Sequence, residues 1–112
     1  METGTAISAL SALAHPMRLD VFRLLVRAGE GGVAAGEIAQ RLGVLANTLS
    51  ANLNILSGAG LVRARREGRS IVYTADYARM SELLGFLMKD CCADDPAICE
   101  PALNAARAAR CG

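Results

Sequence analysis

Residues 33–75 constrain the fold most, because their apolar pattern changes from a helical to a strand period in a fixed order. Two short helices are predicted first, over 33–43 and 47–59. In each, apolar residues recur at helical spacing along one face and a glycine follows the end. These apolar residues are Ile38, Ala39 and Leu42 in the first helix and Leu49, Leu53 and Leu56 in the second. The pattern therefore predicts a helix–turn–helix.

A basic β-hairpin is predicted directly after the second helix. Two short alternating runs, 61–66 and 69–74, flank Glu67 and Gly68, a pair that favours a tight turn. The hairpin carries four arginines and one glutamate, so it is net positive although the whole chain has a formal charge of only +1. A helix–turn–helix followed by a basic hairpin has the outline of a winged helix.

The second helix has the composition of a helix that enters the DNA major groove. Its side chains off the apolar stripe are small or hydrogen-bonding, so they can approach base edges. Arginines beside the hairpin turn are expected to neutralise phosphates or enter the minor groove. Each feature alone also occurs in plain packing or on a solvated face, but the ordered set favours DNA binding. The predicted DNA-binding residues are Asn47, Thr48, Ser50, Ala51, Asn54, Arg66 and Arg69.

Further helices are predicted on both sides of this segment. One helix opens the chain, and a second begins at Pro16 with His15 as a candidate N-cap. Asp76 is a candidate cap for a later helix that is apolar around much of its girth. Since a protomer of this size has too little core to cover that helix on both sides, we expect it to form a homodimer interface with the first helix. The alternative is a fully buried central helix.

The composition excludes several classes of protein. No apolar run approaches the ~20 residues of a membrane span, and the start of the chain lacks a basic leader, so we expect a soluble, cytoplasmic protein. No nucleophile–base pair, phosphate loop or Cys-x-x-Cys motif is evident, so no enzyme is expected. The expected organisation is a folded DNA-binding and dimerisation domain over 1–90 and a cysteine-containing, ligand-binding tail over 91–112.

The tail holds all four cysteines, Cys91, Cys92, Cys99 and Cys111. Cys91 and Cys92 are poor disulfide partners, because adjacent Cα atoms lie only ~3.8 Å apart. They follow the end of a helix, where they can converge on one ion, and Cys99 can fold back over a turn at Pro96. Three thiolates without histidine suit a soft ion. Trivalent arsenic or antimony fits best, since its lone pair favours a three-sulfur pyramid, whereas zinc normally takes four ligands.

Four runs of the sequence, 12–25, 36–39, 48–62 and 66–73, together resemble the ArsR/SmtB family of metal-sensing bacterial repressors. The resemblance covers roughly 6–90. It implies a mostly helical winged helix–turn–helix, with four helices, a two-stranded hairpin, a fifth helix and room for a short sixth. It also implies a homodimer through the first and fifth helices that represses an operon and leaves DNA when its ligand binds.

The chain departs from the family's pattern at two positions of the second helix. Leu45 stands where the family usually has a serine that caps this helix and helps to hold a phosphate. Asn47 is therefore the expected cap. Asn52 stands where histidine is frequent.

The family comparison also bears on the ligand. Ala34 and Gly36 replace the cysteines of the family's best-known arsenic site, and only Asp76 remains of its zinc site. By contrast, Cys91, Cys92 and Cys99 resemble the arsenite site of a subset of members. The resemblance implies a repressor of an arsenic resistance operon that binds double-stranded operator DNA at an inverted repeat without a cofactor, with arsenite or antimonite as inducer.

Three alternatives remain open at this point. A redox or reactive-sulfur repressor would join Cys99 to Cys91 or Cys92. A cadmium or lead sensor would recruit Cys111, which we otherwise expect to be an idle thiol. A thiol oxidoreductase is disfavoured, because no Cys-x-x-Cys motif is present.

Overall fold

The computed structural model describes residues 1–89 and 96–108. Their order of elements confirms the predicted winged helix–turn–helix. Within these ranges no helix is long and apolar enough to cross a bilayer. The elements are α1 (Thr3–Leu13), α2 (Pro16–Ala28), β1 (Val33–Ala34), α3 (Ala35–Leu42), α4 (Ala46–Gly58), β2 (Val62–Glu67), β3 (Ser70–Ala75), α5 (Tyr77–Met88) and α6 (Pro96–Ala108).

Two helices begin where the sequence predicts a cap. His15 Nδ1 accepts a hydrogen bond from the Met17 N–H at 3.2 Å, and Pro16 fills the first position of α2, where a missing N–H costs nothing. Asp76 Oδ1 accepts from the Arg79 N–H at 2.9 Å at the start of α5. Both predicted caps are confirmed.

The strands form a three-stranded antiparallel sheet in the order β1-β3-β2. Because Glu67 pairs with Ser70, the hairpin turn consists of Gly68 and Arg69, one residue later than predicted. Gly68 takes a φ of 62°, which suits the first position of such a turn. The turn therefore places Arg69 at its tip.

The short strand β1 was absent from the sequence prediction. Val33 pairs with Tyr73, so the strand exists through a partner that lies far away in the chain. Gly32 just before it has a φ of 73°, and a Cβ there would come within 2.5 Å of the Tyr73 carbonyl oxygen. Only glycine allows the chain to pass so close to β3.

The core is aliphatic and is centred on α4. The apolar stripe of α4 is buried as predicted, and it packs with residues of α2, α3 and the hairpin base. The α1 helix contributes only alanines to the fully buried set, namely Ala6, Ala9 and Ala12. The largest fully buried side chains are Val21, Leu25, Ile38, Leu49, Leu53, Leu56 and Leu61.

The fifth helix is only partly covered by the rest of the protomer. Leu83 is buried, but Leu84 is 53% exposed and Leu87 is also exposed. The alternative of a fully buried central helix is therefore wrong. The α1 helix contacts α5 and likewise leaves Ile7 and Leu10 exposed.

The tail helix α6 begins where the sequence predicts a turn. Pro96 is its first residue, and Pro101 lies inside it. Pro96 suits the first helical position, because proline needs no backbone N–H partner there. Cys99 thus lies in the first turn of α6, whereas Cys91, Cys92 and Cys111 lie outside the described residues.

Asp76 is expected to contribute to stability in a pH-dependent way. The hydrogen bond from the Arg79 N–H and the Arg63 guanidinium lower the pKa of Asp76, against the opposing effect of burial. A lowered carboxyl pKa gives stability that is present above the ordinary value of 3.8 and is lost as the pH falls through the folded-state pKa. Asp76→Ala should lower the free energy of unfolding by about 1 kcal/mol at neutral pH.

Denaturant unfolding of both proteins at neutral pH and near pH ~3 measures this difference. Asp76→Asn, which keeps a capping oxygen without the charge, is the control and should retain most of the stability. An Asp76→Ala effect of equal size at both pH values would contradict the assignment.

Candidate nucleic-acid interface

The α4 helix presents its polar and small side chains to solvent. Its successive residues are rotated by about 100°, so Asn47, Ala51 and Asn54 lie at the centre of the face opposite the leucine stripe. Thr48 and Ser50 lie on the two flanks. All five predicted DNA-binding residues of this helix are exposed, and their side chains are short enough for the helix to approach a groove closely.

The start of α4 differs from the prediction. Leu45 occupies the N-cap position without a side-chain hydrogen bond, and the helix begins at Ala46. Asn47 is already inside the first turn, where its Oδ1 accepts from the Thr48 N–H at 2.9 Å. The prediction that Asn47 is the cap is therefore wrong, although its side chain still satisfies one free first-turn donor. Leu45 is 73% exposed beside it.

Two of the four hairpin arginines are neutralised within the protein. Arg63 pairs with Asp76 at 3.0 Å. Arg65 pairs with Glu67 at 2.7 Å and also donates to the Gly31 carbonyl oxygen.

Arg66 and Arg69 carry the remaining positive charge of the hairpin. Both are exposed, and neither has an ion-pair partner among residues 1–89 and 96–108. They are the two arginines that the sequence singles out. Arg66 lies two residues before the turn and Arg69 lies at its tip, so their free charge is available to an external anion such as a phosphate.

Asn52 is a functional candidate that the sequence prediction missed. It is only 8% exposed, on the buried side of α4. Its Nδ2 donates to the Thr48 carbonyl oxygen at 2.9 Å and to Met17 Sδ at 3.1 Å, and its Oδ1 accepts from Arg18 Nη1 at 3.3 Å. Arg18 Nε donates to the Ala12 carbonyl oxygen at 2.6 Å. A polar residue within the leucine stripe was the signal that could have found it.

The predicted metal-binding cysteines are not brought together within the described structure. Cys91 and Cys92 lie outside it, and Cys99 is placed in α6. In the described part of the chain, no group of three or more His, Cys, Asp or Glu residues could hold a metal ion. His15 is a helix cap there, as predicted.

The chain resembles known regulators over most of its length. Residues 13–65 match a family model described as a helix-turn-helix domain. The chain is 35% identical over 86 residues to the biofilm growth-associated repressor of Xylella fastidiosa strain 9a5c, covering 77% of this chain and 73% of that protein.

Two solved structures show the same architecture. One is the homodimeric winged helix-turn-helix DNA-binding domain of a possible ArsR-family regulator from Mycobacterium bovis. It is 34% identical with a TM-score of 0.62, covering 78% of this chain and 81% of that one. The other is a possible transcriptional regulator for arsenical resistance, 28% identical with a TM-score of 0.63, covering 71% and 80%.

Proposed function

Because the chain belongs to the ArsR/SmtB family of winged helix–turn–helix transcriptional regulators, we propose that it is a homodimeric repressor of an arsenic resistance operon. Trivalent arsenic or antimony, bound by Cys91, Cys92 and Cys99, releases it from its operator. The observation that carries the DNA-binding half is the exposed polar face of α4 together with Arg66 and Arg69 of the wing, the β2–β3 hairpin. Neither arginine has an ion-pair partner among the described residues.

The exposed apolar residues of α1 and α5 support the homodimer. In one protomer these two helices leave apolar side chains in contact with water, namely Ile7, Leu10, Leu84 and Leu87. A second copy of the chain would cover them. The Mycobacterium bovis relative is described as homodimeric. A two-fold dimer presents two copies of α4, so its operator is an inverted repeat with half-sites one or more DNA turns of ~34 Å apart.

The chemistry of the tail supports the inducer. Cys91, Cys92 and Cys99 offer three thiolates without a histidine, which favours a thiophilic ion of pyramidal geometry. One structural neighbour is described as a possible regulator for arsenical resistance. In this proposal the tail over 91–112 is the ligand-binding part. The proposal also takes the protein to be a cytoplasmic regulator rather than an enzyme.

The position of the cysteines after α5 suggests how the inducer acts. Drawing 91–99 around one ion changes how α5 ends, and α5 carries part of the dimer surface. A change there alters the relative placement of the two α4 helices. The inducer must bind the two arrangements of the dimer with different affinity. It releases DNA only to the extent that it binds the DNA-incompetent arrangement more tightly than the DNA-binding arrangement.

Fluorescence anisotropy of the protein on a duplex from its own upstream promoter tests the proposal. Under reducing conditions, arsenite and antimonite should release the DNA, whereas zinc should not. Release by cadmium or lead but not by arsenite would favour the metal-sensor alternative, with Cys111 as a fourth sulfur. Release by a mild oxidant alone would favour the redox alternative, with a disulfide from Cys99 to Cys91 or Cys92.

The wing should provide affinity for DNA without preference for a particular base sequence. The double change Arg66→Ala/Arg69→Ala should weaken binding to operator and random DNA together. The salt dependence of log K should flatten by about 0.9 for each lost phosphate contact. Arg63→Ala is the matched control, because Asp76 already neutralises that arginine. An unchanged salt slope in the double variant would refute the wing assignment.

The reading helix, α4, should instead provide the preference for the operator sequence. Asn54→Ala removes an amide that can make a bidentate contact to a base edge, so operator binding should weaken by ~1–3 kcal/mol and random DNA much less. Ser50→Ala removes a single hydroxyl and should have a smaller effect in the same direction. Competition between operator and random duplexes measures the difference. Equal losses on both duplexes would assign these residues to phosphate contacts.

A further inference from the structure

Asn52 is an unusual residue to find in the buried stripe of α4. An amide placed among leucines loses its hydrogen bonds to water, so it is tolerated only where protein groups replace them. Asn52 has three such bonds, and among the described residues no buried side-chain nitrogen or oxygen lacks a partner. Its neighbours in the stripe, Leu49 and Leu53, make only non-directional apolar contacts.

Arg18 connects this amide to a third helix. Its guanidinium projects from α2 and donates at once to Asn52 Oδ1 on α4 and to the Ala12 carbonyl oxygen near the end of α1. The last carbonyls of a helix have no partner within it, so the bond from Arg18 also satisfies the Ala12 carbonyl oxygen at the end of α1. Since a guanidinium is planar and rigid, fixing two of its nitrogens fixes the separation and orientation of both acceptors.

We propose that Asn52 and Arg18 are positioning residues for DNA recognition. Resting on the DNA-binding role proposed above, the pair fixes how far α4 is rotated about its own axis relative to α1 and α2. The leucine stripe alone permits small rotations, because apolar contacts do not depend on angle, whereas hydrogen bonds do.

A rotation of α4 affects base contacts and phosphate contacts differently. Ala51 and Asn54 lie within two positions of Asn52 in the sequence but on the exposed side, so a rotation of the helix moves them across the base edges. Bidentate contacts to bases tolerate little displacement, whereas long arginines of the wing adjust to phosphates. Loss of the pair should therefore remove sequence discrimination and leave non-specific affinity in place.

The test uses the duplex that the wild-type protein selects from a randomised library, together with a random duplex of equal length. Asn52→Leu keeps the volume of the side chain without its hydrogen bonds, and Arg18→Met keeps the stem of the arginine without its donors. Each should lower the ratio of selected to random affinity by about tenfold, the size of one lost base contact. Affinity for the random duplex should stay within about twofold, since phosphate contacts dominate it.

The double variant Arg18→Met/Asn52→Leu should lose no more discrimination than either single variant, because the two residues act as one unit. Arg23→Met removes the same charge from an exposed position of α2 and should behave like wild type. The double variant should keep a melting temperature near that of the wild type, since replacing both partners of a hydrogen bond by apolar groups of similar shape is nearly neutral. Reduced discrimination in that variant would then not reflect unfolding.

An unchanged ratio in Asn52→Leu, or losses that add fully in the double variant, would overturn the inference. If Arg18→Met does not fold, Arg18→Lys, which cannot span both acceptors, replaces it and should show the same loss. A wild-type protein that selects no duplex from the library would refute the proposed function itself. That result differs from one in which Asn52→Leu and the wild type both bind DNA with the same preference, which would refute only the inference.

Discussion

Replacing Leu84 by glutamate is expected to convert the dimer into folded monomers and to abolish tight operator binding. Leu84 lies on α5 and is half exposed in the protomer, so a charge there costs the single subunit little. In a dimer the same charge would be buried without a partner, which is far more costly. A monomer reaches one half-site only, so it loses the gain from simultaneous binding, about 10²-fold or more.

Analytical ultracentrifugation and DNA titration of the same preparation measure the two effects. Leu19→Glu is the control, because Leu19 is exposed to a similar degree on α2 rather than on α1 or α5. This variant should remain dimeric. A Leu84→Glu protein that sediments as a dimer, or a wild-type protein that binds DNA as a monomer at micromolar concentration, would refute the proposed interface.

Replacement of the three tail cysteines is expected to separate DNA binding from induction. The variant Cys91→Ser/Cys92→Ser/Cys99→Ser should bind its operator as tightly as wild type, because the reading helix and wing lie elsewhere. Arsenite should no longer release it, whereas in the wild type arsenite should weaken operator binding by roughly 5- to 150-fold, the usual range of such couplings.

Each single serine change should have the same effect, because a pyramidal site needs all three sulfurs. Cys111→Ser is the matched control and should respond to arsenite like wild type. Release of the triple variant at ordinary arsenite concentrations would place the inducer site somewhere else in the protein.

The sequence predicted features of the fold that depend on neighbouring residues. The stripe of α4 follows from the spacing of Leu49, Leu53 and Leu56, and the caps at His15 and Asp76 follow from side chains that bond the backbone a few residues on. These interactions are complete within one or two turns of chain. The prediction therefore needed no knowledge of how the elements pack.

Features that depend on distant residues escaped the sequence. Strand β1 is two residues long and exists only because Val33 meets Tyr73. The bonds of Asn52 reach Arg18, which lies 34 positions earlier in the chain. At the hairpin turn and at the start of α4 the errors were of one or two residues, since the turn lies one residue later than predicted and Leu45 rather than Asn47 takes the N-cap position. The structure was also needed to show which wing arginines lack an ion-pair partner in the described part of the chain.

The alanines of α1 have a consequence for how the protein responds to dilution. The fully buried side chains of α1, Ala6, Ala9 and Ala12, are only methyl groups, whereas its larger side chains Ile7 and Leu10 are exposed. In the proposed homodimer a partner subunit would cover these exposed side chains and add to the attachment of α1. Folding of α1 and association of the subunits then become linked equilibria, so the helix content and melting temperature should rise with protein concentration.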